Sequence, residues 1–118
     1  ASYDGRAGKV ARALVTLLKA AGVAFGYLGV EEPCCGEAVL GVGHTPYFEE
    51  VAAQAAQVFA ERNVTHLVTV SPHCYHVFRN HYPARDGFTP QHYSQFLAEL
   101  VAAGRLAFKR PLNLRVTF

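Results

Sequence analysis

The three cysteines of this chain fall into two short motifs. Cys34 and Cys35 are adjacent and precede Gly36, and Cys74 ends the sequence Ser-Pro-His-Cys at positions 71–74. Neighbouring side chains tend to diverge, so two adjacent thiols do not easily ligate one tetrahedral zinc ion. They can serve an iron–sulfur cluster, whose several irons offer separate bonding sites. The glycine permits a tight backbone path, so the cysteines are candidate cluster ligands.

Other roles for the cysteines remain open. Zinc could be held by Cys34, Cys74 and one of the three histidines His73, His76 and His92. Cys74 could also be a nucleophile ionised by His73 or His76, although no acid or substrate motif accompanies it. Finally, the cysteines could bind nothing, because a lone buried cysteine usually behaves as a small hydrophobic residue.

Length and composition exclude several classes of protein. The 118 residues predict one domain with a sizeable core. The formal net charge of +2, without clustered basic residues, argues against nucleic-acid binding. No apolar run reaches the roughly 18 residues of a membrane span, and no signal peptide is visible. Three cysteines favour a reduced, cytoplasmic setting over a disulfide framework.

Hydrophobic periodicity predicts helices that alternate with strands. Helices are predicted over 6–21, from Thr45 as N-cap to Asn63, from Pro72 to about Asn80, and over 93–103, with a short helical turn before residue 40. Strands are predicted at 23–29, 66–70 and 112–118, and the loop at 82–92 could contain one irregular strand. This order predicts an α/β fold, a three-layer αβα arrangement with a mostly parallel, Rossmann-like sheet.

The predicted topology brings the cysteines together. Cys34 and Cys35 follow the strand at 23–29, and Cys74 follows the strand at 66–70. Because parallel strands end at one edge of a sheet, we expect the three thiols within about 10 Å of one another, with Cys34 and Cys35 both exposed. With Ser71 as N-cap, Cys74 takes the third helical position, where free N–H groups and the helix dipole stabilise a thiolate.

Two segments resemble a known family. Glu-Pro-Cys-Cys-Gly-Glu at 32–37 and Ser-Pro-His-Cys-Tyr-His-Val-Phe-Arg-Asn-His-Tyr-Pro at 71–83 are similar to the cysteine-rich CCG domain of heterodisulfide reductase and related iron–sulfur oxidoreductases. Those relatives include glycerol-3-phosphate, glycolate and lactate oxidation subunits and proteins that pass electrons from electron-transfer flavoprotein to quinone. The resemblance covers nearly the whole chain. We therefore expect residues 1–118 to be a single CCG-type domain, truncated at both ends from a larger protein.

The resemblance implies a [4Fe–4S] cluster. Cys34, Cys35 and Cys74 match three of the family's ligands, and Gly36 belongs to the same cofactor-binding loop. The family's fourth ligand, an upstream cysteine, would precede Ala1, so the cluster is expected to be absent or labile in this chain. Position 71 is serine where heterodisulfide reductase-type members carry cysteine, which favours the electron-transfer branch of the family.

The function implied is electron transfer between a flavin partner and quinone, as a module of a respiratory-type oxidoreductase. Its partners would be the remainder of that protein and a flavoprotein or quinone-linked redox protein. The chain alone is expected to be inactive and to have no catalytic residue. The expected location is cytoplasmic, at the inner face of the cell membrane through the parent protein. The alternative is a structural or docking α/β domain whose cysteines bind zinc or nothing.

Overall fold

The computed structural model describes residues 5–117. Helices and two short strands follow one another along this part of the chain. They are α1 (Gly5–Ala20), α2 (Glu37–Gly41), α3 (Thr45–Glu61), β1 (His66–Thr69), α4 (Pro72–Asn80), β2 (Thr89–His92) and α5 (Tyr93–Ala102), with a 3₁₀ turn at Gly29–Glu31. The four longer helices confirm those predicted from the periodicity.

The two strands form a parallel pair. His66 lies opposite Thr89, and Thr69 lies opposite His92, so β1 and β2 end at the same edge of the sheet. Helix α4 makes the crossover between them, as parallel pairing requires. Strand β2 is the irregular strand that the sequence analysis placed within 82–92. It tolerates Pro90 because each of these strands has only one partner in the described sheet.

Two of the predicted strands are wrong for the described residues. Residues 23–28 have no regular secondary structure, and neither do residues 112–117, while Phe118 lies outside the described residues. Alternating apolar residues make a strand only when a neighbouring strand satisfies the backbone. Leu114 and Val116 are instead 70% and 87% exposed. Residues 5–117 thus form a mixed helix–strand fold with a two-stranded parallel sheet, and a three-layer, Rossmann-like arrangement is not seen in them.

Backbone geometry explains where the helices end. Asn63 adopts a φ of 53° just after α3, as expected for the residue that closes that helix. Helix α3 begins differently from the prediction, because His44 and not Thr45 is its N-cap. The imidazole Nδ1 of His44 accepts the backbone N–H of Tyr47 at 3.2 Å. The sequence suggested threonine because imidazole is not among the usual capping side chains.

The core consists of three clusters. One joins α1 to α5 and contains Leu14, Leu18, Ala21 and Leu100. The second lies beneath the cysteine loop and contains Cys35, Ala55, Phe59 and Phe78. The third joins α3 to α4 through Phe48, Ala52 and Val77. Helix α3 contributes to the second and third clusters, so it supports both segments that carry the cysteines.

Between residues 5 and 117, none of the helices combines the length and the apolar character that crossing a membrane would need.

Candidate functional site

The cysteine loop meets the first turn of α4. The Cys35 thiol donates a hydrogen bond to the sulfur of Cys74. Cys35 is only 7% exposed, and Cys74 is half-buried against the same apolar cluster. Two cysteines from distant parts of the sequence are therefore in direct contact, as the order of the elements predicted.

The adjacent cysteines point in different directions. Cys34 is exposed, whereas Cys35 is buried among Phe59, Phe78 and Ala55. The Sγ atom of Cys34 accepts the backbone N–H of Gly36 at 3.5 Å. The expectation that both thiols of the pair are exposed was thus wrong for Cys35, because adjacent side chains that diverge here place one thiol outside and the other in the core.

Ser71 is the N-cap of α4, as predicted. Its backbone is extended, with φ −88° and ψ 127°, and its Oγ accepts the N–H of Cys74 at 3.5 Å. Hydrogen bonds from the Cys35 thiol and from Ser71 lower the pKa of Cys74 to about 6, against an opposing effect of burial. The position of Cys74 in the first turn of α4 acts in the same direction, because the helix dipole favours a thiolate there.

The pKa of Cys35 moves the other way. Its thiol donates to Cys74, and this bond together with burial raises the pKa of Cys35 far above the ordinary value for a thiol. Without metal, the pair therefore shares one proton, held on the buried Cys35, while the more exposed Cys74 carries the negative charge.

Tyr82 links the cysteine loop to the segment after α4. Its hydroxyl donates to the backbone carbonyl of Cys35 at 3.2 Å. Burial raises the pKa of Tyr82, and the charges of Cys35, Cys34 and Cys74 raise it further. All three cysteines therefore lie within electrostatic reach of this one hydroxyl. The sequence analysis gave Tyr82 no functional role, and its only signal was its place in the 71–83 segment.

Gly36 holds the cysteine loop against α3. Its φ of 82° lies in the left-handed region, and a Cβ at this position would lie 3.0 Å from Cδ2 of Phe48 and 3.3 Å from Cγ1 of Val51. Both the backbone conformation and the close approach therefore require glycine. The sequence predicted the tight backbone path, but not the helix that presses against it.

We expect Gly36→Ala to lower the free energy of unfolding by about 3 kcal/mol. The left-handed backbone accounts for about 1–2 kcal/mol, and overpacking against Phe48 adds about 1–3 kcal/mol. Gly43→Ala is the matched control, since Gly43 has a similar φ of 77° but nothing within 4 Å of an added Cβ. Urea unfolding of both variants measures the difference, and equal losses would contradict the crowding at Gly36.

The reactivity of Cys74 should follow pH. Without a bound cluster, we expect alkylation of Cys74 by iodoacetamide to be half-maximal near pH 6, because the thiolate reacts and the pKa is about 6. The rate should fall below this pH and level off above it. Cys35→Ala removes the largest stabilising contact of the thiolate and should move the midpoint up towards about 8.5. Peptide mapping across pH measures both, and an unchanged midpoint would refute the hydrogen bond.

The histidines considered as zinc ligands have other contacts. His73 Nδ1 lies 3.7 Å from Glu37 Oε1, His76 interacts with Asn80, and His92 Nδ1 pairs with Ser94 Oγ at 2.7 Å. Among residues 5–117, no three His, Cys, Asp or Glu side chains are grouped to hold a metal ion. The described geometry therefore does not support the zinc interpretation.

The donor set fits an iron–sulfur cluster better than a single ion. It consists of soft thiols, which suit iron–sulfur clusters. A cluster bonds each thiolate to a different iron, so its ligands need not converge on one point. The tight path at Gly36 and the free N–H groups of the first turn of α4 also suit an anionic group. The site is that of a cysteine-rich domain built from two thiol-bearing loops.

Comparison with known proteins identifies this class. Residues 1–79 match the family model of the cysteine-rich domain CCG. The chain is 39% identical over 118 residues to the EtfAB:quinone oxidoreductase of Syntrophomonas wolfei, and 38% identical over 119 residues to the probable iron-sulfur-binding oxidoreductase FadF of Bacillus subtilis. It is 26% identical over 110 residues to one component of the dihydromethanophenazine:CoB–CoM heterodisulfide reductase of Methanosarcina barkeri. No solved structure gives a significant match.

The chain belongs to the CCG cysteine-rich domain family, which confirms the resemblance drawn from its two motifs. The first two alignments cover 99% of this chain, and the third covers 86%. They cover only 16%, 17% and 27% of the three relatives. The relatives are oxidoreductases of the iron–sulfur type, which supports a role in electron transfer.

Proposed function

We propose that Cys34, Cys35 and Cys74 ligate a [4Fe–4S] cluster, and that Gly36 shapes the loop around it. The observation that carries this proposal is the contact between Cys35 and Cys74, with Cys34 next to them on the surface. When bound, such a cluster takes up and releases one electron at a time. The family supplies the cluster type, since the thiol positions alone do not distinguish it.

Each thiol would have a distinct place. Cys35 is the inner ligand, and the apolar cluster of Phe59 and Phe78 shields its side of the site from water, which tunes a cluster's potential. Cys34 is the outer ligand and faces the side from which a redox partner can approach. Cys74 already favours the thiolate form that ligation requires.

The chain would be one module of a longer electron-transfer protein. It has three cysteines, and a [4Fe–4S] cluster held by four thiolates needs one more, which the rest of such a protein would supply. The relative named EtfAB:quinone oxidoreductase supports electron transfer from a flavoprotein towards quinone. The free thiols suit the reducing conditions of the cytoplasmic side of the membrane.

Anaerobic reconstitution tests the proposal. The chain is incubated with ferrous iron, sulfide and a small thiol that can fill the fourth position, and unbound reagents are then removed. We expect iron and sulfide in equal amounts with a broad brown absorption. Iron without sulfide, or zinc bound with equal ease by the same cysteines, would instead favour a structural metal-binding domain.

A further inference from the structure

We propose that Cys35 and Cys74 form a reversible disulfide in the cluster-free chain, by exchange with a small-molecule disulfide such as oxidised glutathione. The inference is independent of the proposed cluster, because it concerns two thiols that are in contact without any metal. Their sulfurs interact directly, and Cys74 packs against the apolar cluster that contains Cys35.

The two thiols are held by separate anchors. Gly36, next to Cys35, is packed closely against Phe48 and Val51 of α3. Ser71 begins α4 and caps the N–H of Cys74. Both loops therefore start from fixed helices, so the sulfurs remain facing each other and a bond between them needs little rearrangement.

The other two pairings are less favourable. Consecutive Cα atoms lie about 3.8 Å apart, whereas disulfides usually span about 4.4–6.8 Å between Cα atoms. A Cys34–Cys35 bond would therefore strain the loop, and the two side chains already diverge, one exposed and one buried. Cys34 Sγ contacts the N–H of Gly36, while the thiol that contacts Cys74 is that of Cys35.

The exchange proceeds in two balanced steps. Cys74, which is more exposed than Cys35, attacks one sulfur of the small disulfide, forms a mixed disulfide and releases one small thiolate. The Cys35 sulfur then attacks the Cys74 sulfur and expels the second small thiolate, which takes up the proton lost by Cys35. One external disulfide is reduced to two thiols while the Cys35–Cys74 pair is oxidised. Excess small thiol reverses both steps.

Three single variants each leave one possible cysteine pair. Cys34→Ala keeps Cys35 and Cys74, Cys35→Ala keeps Cys34 and Cys74, and Cys74→Ala keeps Cys34 and Cys35. Each is equilibrated without iron in a glutathione redox buffer, quenched with acid and measured by intact mass spectrometry. These variants are needed because proteolysis rarely separates the adjacent Cys34 and Cys35.

We expect only Cys34→Ala to close an internal disulfide, seen as the loss of two hydrogen atoms without a glutathione adduct. The wild-type chain should show the same bond plus one adduct, on the exposed Cys34. If Cys34→Ala keeps two free thiols or gains adducts, or if either other variant closes its pair as readily, the proposal is overturned.

A second measurement does not depend on how well the core variants fold. The equilibrium of Cys34→Ala is repeated in concentrated urea, where the contact between the two loops is lost. We expect the ratio of disulfide to dithiol to fall by about tenfold or more, because the fold no longer holds the thiols at high effective concentration. An equal ratio in both conditions would show that the native contact does not promote the bond.

Discussion

Cys74→Ala is expected to abolish most of the iron and sulfide that the reconstituted chain binds, while Ser71→Ala leaves both nearly unchanged. Cys74 offers a soft thiolate that iron–sulfur clusters require. Ser71 offers a hard hydroxyl, and its oxygen is already engaged with the backbone N–H of Cys74 at 3.5 Å. Metal and sulfide analysis after anaerobic gel filtration gives the comparison directly.

Ser71→Ala should act on stability instead. Loss of a serine N-cap costs about 1 kcal/mol, which urea unfolding would detect. Ser94→Ala is the matched control, since Ser94 is exposed and its hydroxyl pairs with His92 Nδ1. If Ser71→Ala strips the iron as fully as Cys74→Ala does, then Ser71 is a ligand. The assignment to the electron-transfer branch of the family would then lose its main support.

Phe59→Ala is expected to lower the free energy of unfolding by about 3–5 kcal/mol. Phe59 is 3% exposed, and its ring lies 5.6 Å from the rings of both Phe78 and Phe88. Removal of the ring leaves a cavity beneath Cys35 that neighbouring side chains fill only in part. Such a loss is a large share of the roughly 5–15 kcal/mol that stabilises a typical domain.

Phe108→Ala is the control for this core variant. Phe108 is 84% exposed, so its replacement should change stability by no more than about 0.5 kcal/mol. Urea titrations followed by circular dichroism suit both variants, because the chain has no tryptophan. Similar losses from the two changes would show that the cluster around Phe59 is not a core of the fold. The iron content of Phe59→Ala should fall with its stability, since Cys35 belongs to the same cluster.

Local sequence signals were sufficient for much of the candidate site. The motifs around Cys34, Cys35 and Cys74 predicted the family, which the comparison with known proteins confirms. Ser71 was predicted as the cap of α4 and Asn63 as the end of α3, because capping depends on a few neighbouring residues and on backbone conformation. Contact between the cysteine loop and α4 also followed from the order of the elements, although one strand used in that argument is not formed.

The tertiary structure alone decided the features that need a distant partner. Residues 112–117 alternate like a strand, yet they have no regular secondary structure, because a strand depends on a neighbour that local pattern does not specify. The burial of Cys35 against Phe59 and the hydrogen bond from Tyr82 likewise depend on where α3 and the segment after α4 pack. Which residues tend to form a helix or to bind iron is a property of the local sequence, whereas exposure and contact arise only when those elements pack against one another.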